Sequence, residues 1–279
     1  MSSRNVAAQA LAEQAIGMAS RVFRGQAPAT ALVLHLHGGS FLEDASNCND
    51  AVARLLAEAG AVVVSVDYPT GPEHPFPAAL EAAFKALLSL AAHRATWAQR
   101  HARLFVAGEE SGGNLAAALA MMARDQGGPA LAGQILLSPM LDPCLATASV
   151  RGADAGPVGC RWADGWHGYL GSADQASHPY AAPSNASRLA GLPPALVLTA
   201  EDDPLRDESL RYAERLRAGG VDAQGHVLPA PTGWPCALGV EPADECPCAS
   251  IALRLFREFF AQTASLPSKP APHVQGISR

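Results

Sequence analysis

Apolar positions alternate along this chain between short β-type runs and longer stretches with helical spacing. The runs Ala31–His37 and Ala61–Asp67 are almost continuously apolar, as expected for strands buried on both faces of a parallel sheet. A helical pattern from Asn49 to Ala59 lies between them and ends at Gly60. Strand, helix and strand in this order predict a right-handed crossover and a doubly wound, mostly parallel sheet.

The same alternation continues to the carboxyl end of the chain. Further strands are predicted at Arg21–Arg24, Leu104–Ala107, Gln134–Ser138, Ala195–Thr199 and Gln224–Leu228, and further helices at Ala78–His93, Asn114–Asp125, Leu205–Ala218 and Ala249–Gln262. An amphipathic helix is predicted within residues 1–20, and the Pro- and Ser-rich residues 265–279 are expected to form a flexible tail. We therefore expect one α/β domain over residues 1–264.

Helical and strand periodicity is lost between residues 141 and 190. Four aromatic residues gather in this region: Trp162, Trp166, Tyr169 and Tyr180. The region joins two predicted strands, so we expect a small helical or loop insertion above the carboxyl ends of the strands, where α/β proteins bind ligands. Trp162 and Trp166 are therefore candidate pocket residues.

Composition excludes several classes of function. The formal net charge is −6 and the sequence pI is about 5.8, so there is no basic footprint for nucleic acid. No apolar run approaches the roughly 18 residues that would span a bilayer, and the N-terminus lacks a signal core. We expect a cytoplasmic protein without membrane contact, metal or cofactor, whose partner is a small-molecule ligand or substrate.

Six cysteines in a chain of 279 residues without a signal peptide are typical of reduced thiols. Cys236, Cys246 and Cys248 cluster in a Pro/Gly-rich stretch. No histidine accompanies them and their spacing matches no zinc pattern, so we interpret them as free loop thiols.

The stretch Val106–Ala116 is typical of a strand, a tight glycine turn and a helix. In hydrolases such a corner lifts a nucleophile above the sheet and is written G-x-S-x-G. Between Gly108 and Gly112 the central residue is Glu110, and Ser111 follows one position late. A shift of one residue turns a side chain by about 100° at a helix start, so Ser111 is a poor substitute nucleophile.

Several motifs resemble the hormone-sensitive-lipase branch of the α/β hydrolases. They are HGGSF at His37–Phe41, DYPTGPEHPFPAAL at Asp67–Leu80, GEESGGNLAAALA at Gly108–Ala120 and DDPLRDE at Asp202–Glu208. The resemblance implies an α/β-hydrolase fold, and members of that family are mostly carboxylesterases acting on short acyl esters. That family also carries an N-terminal cap, which we expect to be shortened here. With only about twenty residues before Arg21, either the pocket is more open than in members of that family, or the insertion or the second subunit of a homodimer roofs it.

The resemblance also implies a place for the oxyanion hole. Its motif maps onto His37, Gly38, Gly39 and Ser40, so that the two glycine amides remain and Ser40 replaces a third glycine. The remaining donor would be the backbone N–H of Ser111, at the start of a helix whose dipole favours an anion. We expect His37 and Ser40 to border the pocket.

The resemblance places the triad acid at Asp203. The triad histidine falls at Thr232 or Gly233, beside the candidate pocket residue Trp234, so the base is replaced as well as the nucleophile. His167 and His226 lie elsewhere in the pattern and are expected to be packing or surface residues.

Glu110 admits three interpretations. Its carboxylate could accept the amides of Gly38, Gly39 and Ser111 and block the hole. It could instead share the site with Asp203, where burial and repulsion would raise a pKa and permit acid–base chemistry on a small carbonyl or ester compound. It could also border a small-molecule recognition pocket.

We take carboxylate-based, non-serine chemistry by Glu110 and Asp203 as the leading hypothesis. One alternative is a catalytically dead pseudohydrolase that binds a small molecule. A second is a weak carboxylesterase that uses Ser111. The plainest possibility is a decayed relative that has kept no ligand.

Overall fold

The computed structural model describes residues 16–25, 29–42, 50–152, 156–230 and 248–264. Most of the predicted N-terminal helix and all of the predicted tail lie outside these ranges. The same holds for Thr232, Gly233 and Trp234, so the predicted base position is not part of the described structure.

Seven strands form one sheet in the order β1-β3-β2-β4-β5-β6-β7. They are β1 (Ser20–Arg24), β2 (Ala31–Leu36), β3 (Ala61–Val66), β4 (Arg103–Glu109), β5 (Gly133–Leu137), β6 (Ala195–Ala200) and β7 (Ala223–Leu228). β1 runs antiparallel to β3, and the other neighbouring pairs are parallel. The predicted doubly wound, mostly parallel sheet is confirmed.

Helices cover both faces of the sheet. They are α1 (Ala51–Glu58), α2 (Ala78–Ala92), the short α3 (Arg94–Trp97), α4 (Glu110–Asp125), α5 (Ala148–Gly152), α6 (Gly156–Leu170), α7 (Arg206–Ala218) and α8 (Cys248–Ala264). Buried side chains of α1 and α8 pack on one face, and those of α2, α4, α6 and α7 pack on the other. This arrangement explains why the central strands are almost entirely apolar, because both of their faces are buried.

The corner between β4 and α4 is tighter than the sequence suggested. β4 continues to Glu109 and α4 begins at Glu110, whereas the helix was predicted to begin at Asn114. A Cβ atom on Gly112 would collide with the carbonyl oxygen of Leu36, so that position requires glycine. The helix therefore starts directly at the strand end, and its first turn lies against the end of β2.

The insertion contains a helix that periodicity did not predict. α6 is followed by two short 3₁₀ helices at Ala173–Ser177 and Pro183–Asn185. Trp162, Trp166 and Tyr169 lie on the buried side of α6. Glycines within α6 weaken its intrinsic helix propensity, and tertiary packing compensates for that weakness.

Cys248 corrects the expectation of reduced thiols. It is buried at the start of α8 and takes part in a disulfide bond. The expectation of reduced cysteines was based on an inferred cytoplasmic location. Such a location does not determine which cysteines lie close enough to form a disulfide bond. Cys144 and Cys160 are free and exposed.

Within the described ranges, none of the helices is both long and apolar enough to cross a membrane.

Candidate functional site

The β4–α4 corner presents Glu110 toward the turn that follows β2. Glu110 has a φ of 52°, a left-handed conformation that is rare for residues other than glycine. Such strain persists where the surrounding structure holds it and is concentrated at functional sites. The position that G-x-S-x-G spacing marks is therefore a genuine sharp corner, and its side chain is a carboxylate.

Four hydrogen-bond donors converge on the Glu110 carboxylate. Oε2 accepts the backbone N–H groups of Gly39 at 2.8 Å and of Ser40 at 3.3 Å. Oε1 accepts the Ser40 hydroxyl at 2.8 Å and the Trp162 indole N–H at 2.6 Å. An ionised carboxylate offers about four lone-pair sites, so these donors satisfy it completely. We call this set of donors the carboxylate cradle.

The turn itself is unusual in its backbone. Gly39, Ser40 and Phe41 all have positive φ values, of 119°, 57° and 60°. Only glycine takes such angles without strain, so Ser40 and Phe41 must be held by their contacts. The two bonds from Ser40 to Glu110 and the packing of Phe41 against the insertion supply those contacts.

Gly38 differs from its expected role as an oxyanion-hole donor. Its N–H donates to Glu109 Oε1 at 3.2 Å, so the two amides directed at Glu110 belong to Gly39 and Ser40. A Cβ atom on Gly38 would lie 2.9 Å from Glu110 Oε2. Gly38 therefore contributes space for the Glu110 side chain instead of a hydrogen bond to it.

A buried polar chain lies beneath this turn and was not recognised in the sequence. His35 Nε2 is 2.7 Å from Glu109 Oε2, and His35 Nδ1 is 2.9 Å from the Ser65 hydroxyl. His35 and Ser65 are register partners on β2 and β3, and Glu109 ends the neighbouring strand β4. This chain joins three strands and, through Glu109, the Gly38 amide. The sequence signal for this buried chain was the presence of His35 and Ser65 within otherwise apolar strands.

His37 supports the turn from behind. Its Nδ1 is 2.6 Å from the Gly38 carbonyl oxygen, its ring stacks on Tyr68 with centroids 4.5 Å apart, and the Tyr68 hydroxyl donates to the His37 carbonyl oxygen at 2.7 Å. Burial lowers the pKa of His37, which favours the neutral ring. His37 is completely buried, so it supports the site without lining an open pocket.

Ser111 is buried beneath the corner. The residue is completely buried in the first turn of α4, and its Oγ lies 3.3 Å from the Tyr68 hydroxyl. This placement agrees with the rotation expected from a one-residue shift along the corner.

Asp203 lies beyond the end of β6 with a separate set of partners. Its Oδ2 accepts the hydroxyls of Ser138 and Thr199, and its Oδ1 accepts the N–H of Leu205 at 2.9 Å. Burial raises the pKa of Asp203, and the nearby charge of Asp202 adds to this. None of these partners is shared with Glu110, so the expected Glu110–Asp203 pair is not a directly bonded unit.

Helix α6 closes over the cradle. Trp162 reaches Glu110, and a Cβ atom on Gly165 would collide with the carbonyl oxygen of Ser40. One turn further on, Tyr169 stacks on Phe41 with ring centroids 3.9 Å apart. The candidate pocket residue Trp166 is buried in the same aromatic group, 5.4 Å from the Phe41 ring, and so fills space beside the turn.

Glu208 is a second buried carboxyl that the sequence interpretation did not single out. Its Oε1 accepts the N–H of Leu141 at 3.2 Å, where the chain enters the insertion, and burial raises its pKa well above the usual range. The position of Glu208 in the DDPLRDE motif was the sequence feature that could have identified it. Across the described ranges, no three His, Cys, Asp or Glu side chains are grouped as metal ligands.

The sheet, the corner and the turn define an α/β hydrolase, and comparison with known proteins shows the family. A family profile described as alpha/beta hydrolase fold matches residues 33–232. The chain belongs to this hormone-sensitive-lipase-like α/β-hydrolase family.

The relatives found include esterases and a receptor. The chain is 40% identical to Esterase LipI of Mycobacterium tuberculosis over 205 residues, which are 70% of this chain and 62% of LipI. It is 32% identical over 215 residues to Gibberellin receptor GID1A of Arabidopsis thaliana, covering 73% of this chain and 62% of the receptor. The matched region thus spans less than two thirds of these relatives.

A solved structure shows the same similarity. The crystal structure of a thermostable esterase from Pseudomonas putida superposes with a TM-score of 0.76 at 30% identity, covering 92% of this chain and 89% of that one.

Proposed function

We propose that this chain is a catalytically silent member of the family, a pseudohydrolase that binds a small molecule without serine-dependent ester hydrolysis. The observation that carries the proposal is the Glu110 carboxylate, which fills the turn assigned to the oxyanion hole. The Gly39 amide, one of the donors expected to stabilise a substrate oxyanion, already donates to Glu110, as does the neighbouring Ser40 amide.

Two further contacts support the absence of serine-dependent hydrolysis. Serine catalysis requires a hydroxyl within reach of an imidazole that is held by a carboxylate. The Ser111 hydroxyl is buried beside Tyr68, and the Asp203 carboxylate is occupied by Ser138 and Thr199. These contacts weigh against an esterase that uses Ser111.

The same geometry disfavours our initial hypothesis of carboxylate catalysis. A general base must present a free lone pair to the proton it removes, within hydrogen-bond reach. All four acceptor sites of Glu110 are engaged, and Asp203 has its own three donors. Glu110 thus acts as an internal ligand of the cradle.

A binding role without hydrolysis has support among the relatives. One relative is named as a gibberellin receptor, whereas others are named as esterases. The relatives named as esterases make small acyl esters the ligand class to examine first.

Initial rates of p-nitrophenyl acetate and butyrate hydrolysis test the proposal. We expect the wild-type protein and Ser111→Ala to give the buffer rate, while calorimetry with the amide N-(4-nitrophenyl)butanamide detects saturable binding. A rate abolished by Ser111→Ala would identify a serine esterase. A rate lost in Glu110→Gln and kept in Ser111→Ala would identify carboxylate chemistry, and the absence of amide binding would contradict the ligand class.

A further inference from the structure

Helix α6 meets the corner and the turn through contacts on successive helical turns. Trp162 donates to Glu110 at 2.6 Å, Gly165 touches the Ser40 carbonyl, and Tyr169 stacks on Phe41. The Tyr169 carbonyl also accepts the Phe76 N–H at 2.6 Å. The helix therefore covers the carboxylate cradle directly and supplies one of its four donors.

The Trp162–Glu110 bond differs from the other contacts of α6. The contacts of Gly165 and Tyr169 are with the turn at residues 40–41, and they do not involve the cradle's occupant. Trp162 is 6% exposed, and its indole N–H bonds to the carboxylate itself. Hydrogen bonds to charged groups are stronger than neutral ones, particularly where water is excluded.

We propose that Glu110 is a latch that holds α6 closed, so that occupancy of the cradle by a carboxylate and the position of α6 are coupled. This inference rests on the proposed function, in which Glu110 is the internal occupant of the oxyanion hole. Since the fourth donor comes from α6, a carboxylate binds the closed form better than the open form. By linkage, the closed helix also favours the bound carboxylate.

The latch predicts a defined ligand class for the emptied cradle. Replacing Glu110 by alanine removes one methylene group and the carboxylate, which together have the heavy atoms of acetate. Acetate should therefore occupy the cradle of Glu110→Ala and restore the bond to Trp162. In the wild-type protein the tethered carboxylate has a far higher effective concentration than any added acid, so acetate has no effect.

Hydrogen exchange measured by mass spectrometry tests the coupling. In Glu110→Ala we expect peptides of α6 to exchange about 10- to 100-fold faster, the factor for losing one hydrogen bond to a charged group. Peptides of α7 serve as the internal reference. Sodium acetate should restore protection of α6, whereas acetamide and sodium chloride at equal concentration should not. Glu81→Ala, on the exposed side of α2, is the matched control and should leave α6 unchanged.

Trp162→Phe keeps an aromatic ring and removes only the indole donor, so it tests the latch even if Glu110→Ala fails to fold. We expect faster exchange of α6 in this variant, and in Glu110→Ala/Trp162→Phe we expect acetate to leave α6 unprotected. Unchanged α6 exchange in Trp162→Phe would overturn the latch, whether or not Glu110→Ala folds.

The failure of the latch is distinguishable from failure of the proposed function. Acetate binding to Glu110→Ala by calorimetry, together with unchanged α6 exchange, would leave the occupied hole intact and reject only the coupling. Absence of acetate binding together with unchanged α6 exchange would reject both.

Discussion

The Gly39 amide and the Glu110 carboxylate lie 2.8 Å apart, in the turn where the family resemblance places the oxyanion hole. The left-handed corner at residue 110 directs the side chain back over the turn, and Gly38 leaves room for it. The turn that is expected to stabilise a substrate oxyanion thus binds a carboxylate of the chain itself.

Removing this carboxylate should destabilise the fold. Glu110→Ala leaves four donors without their protein acceptor, and partial access of water to the turn offsets some of the loss. We expect the free energy of unfolding to fall by about 1 to 3 kcal/mol in urea titrations. Glu81→Ala is the control and should change it by less than about 0.5 kcal/mol. Equal effects of the two substitutions would show that Glu110 makes no net contribution to stability.

Substitutions in the buried hydrogen-bonded chain of Glu109, His35 and Ser65 should lower the free energy of unfolding by different amounts. Glu109 bonds both His35 and the Gly38 amide, so Glu109→Ala should lower the free energy of unfolding by about 3 kcal/mol or more. Ser65→Ala removes only the terminal hydroxyl and should cost about 1 kcal/mol. Chemical denaturation gives both values, and a larger loss in Ser65→Ala would reverse the assigned order of importance.

Two glycines provide a matched test of how closely α6 packs. Alanine at Gly165 would collide with the Ser40 carbonyl, whereas a Cβ atom at Gly152 meets no atom within 4 Å. We expect Gly165→Ala to lower the melting temperature by several degrees, since a cost of about 1 kcal/mol already shifts it by roughly 2 to 4 °C in a protein of this size. Gly152→Ala should leave it nearly unchanged. Equal melting temperatures for the two variants would contradict the close approach.

The raised pKa of Asp203 predicts that the stability of the protein depends on pH. Burial raises its pKa in the folded protein above the unfolded value, so the folded state holds the proton more tightly. The resulting stabilisation is fully present below about pH 4 and is lost as pH rises through the folded pKa. In urea titrations from pH 4 to 7, wild type should lose stability relative to Asp203→Asn. A difference that stays constant, or that moves in the opposite direction, would contradict this account.

The hydrophobic pattern predicted the sheet well because its strands are buried on both faces. β2 and β3 were placed to within one residue, since each is apolar except for one polar residue, His35 or Ser65, and is bounded by polar or glycine residues. The start of α4 was misplaced by four residues, because glycines that normally interrupt helices lie inside its first turn. The expected helical or loop insertion did not include the bounds of α6, because helical periodicity is lost there and its Gly165 serves close packing against the turn.

The candidate site was less accessible to sequence reasoning. Motif spacing placed Glu110 at the corner, but it could not assign the amide of Gly38 to Glu109 or bring the indole of Trp162 to Glu110. Those contacts depend on left-handed residues at 39–41 and on a helix from a distant part of the chain. The chain from Ser65 through His35 to Glu109 likewise forms only when three strands are in register.

The most direct test of the central claim is covalent labelling with an alkyl fluorophosphonate, read out by intact-protein mass spectrometry. The reagent phosphonylates a serine only where an activated hydroxyl faces a vacant oxyanion hole. Because Glu110 occupies the hole and Ser111 is buried, we expect the wild-type protein to show no increase in mass. Stoichiometric addition mapped to Ser111 would contradict the account and identify an active serine hydrolase.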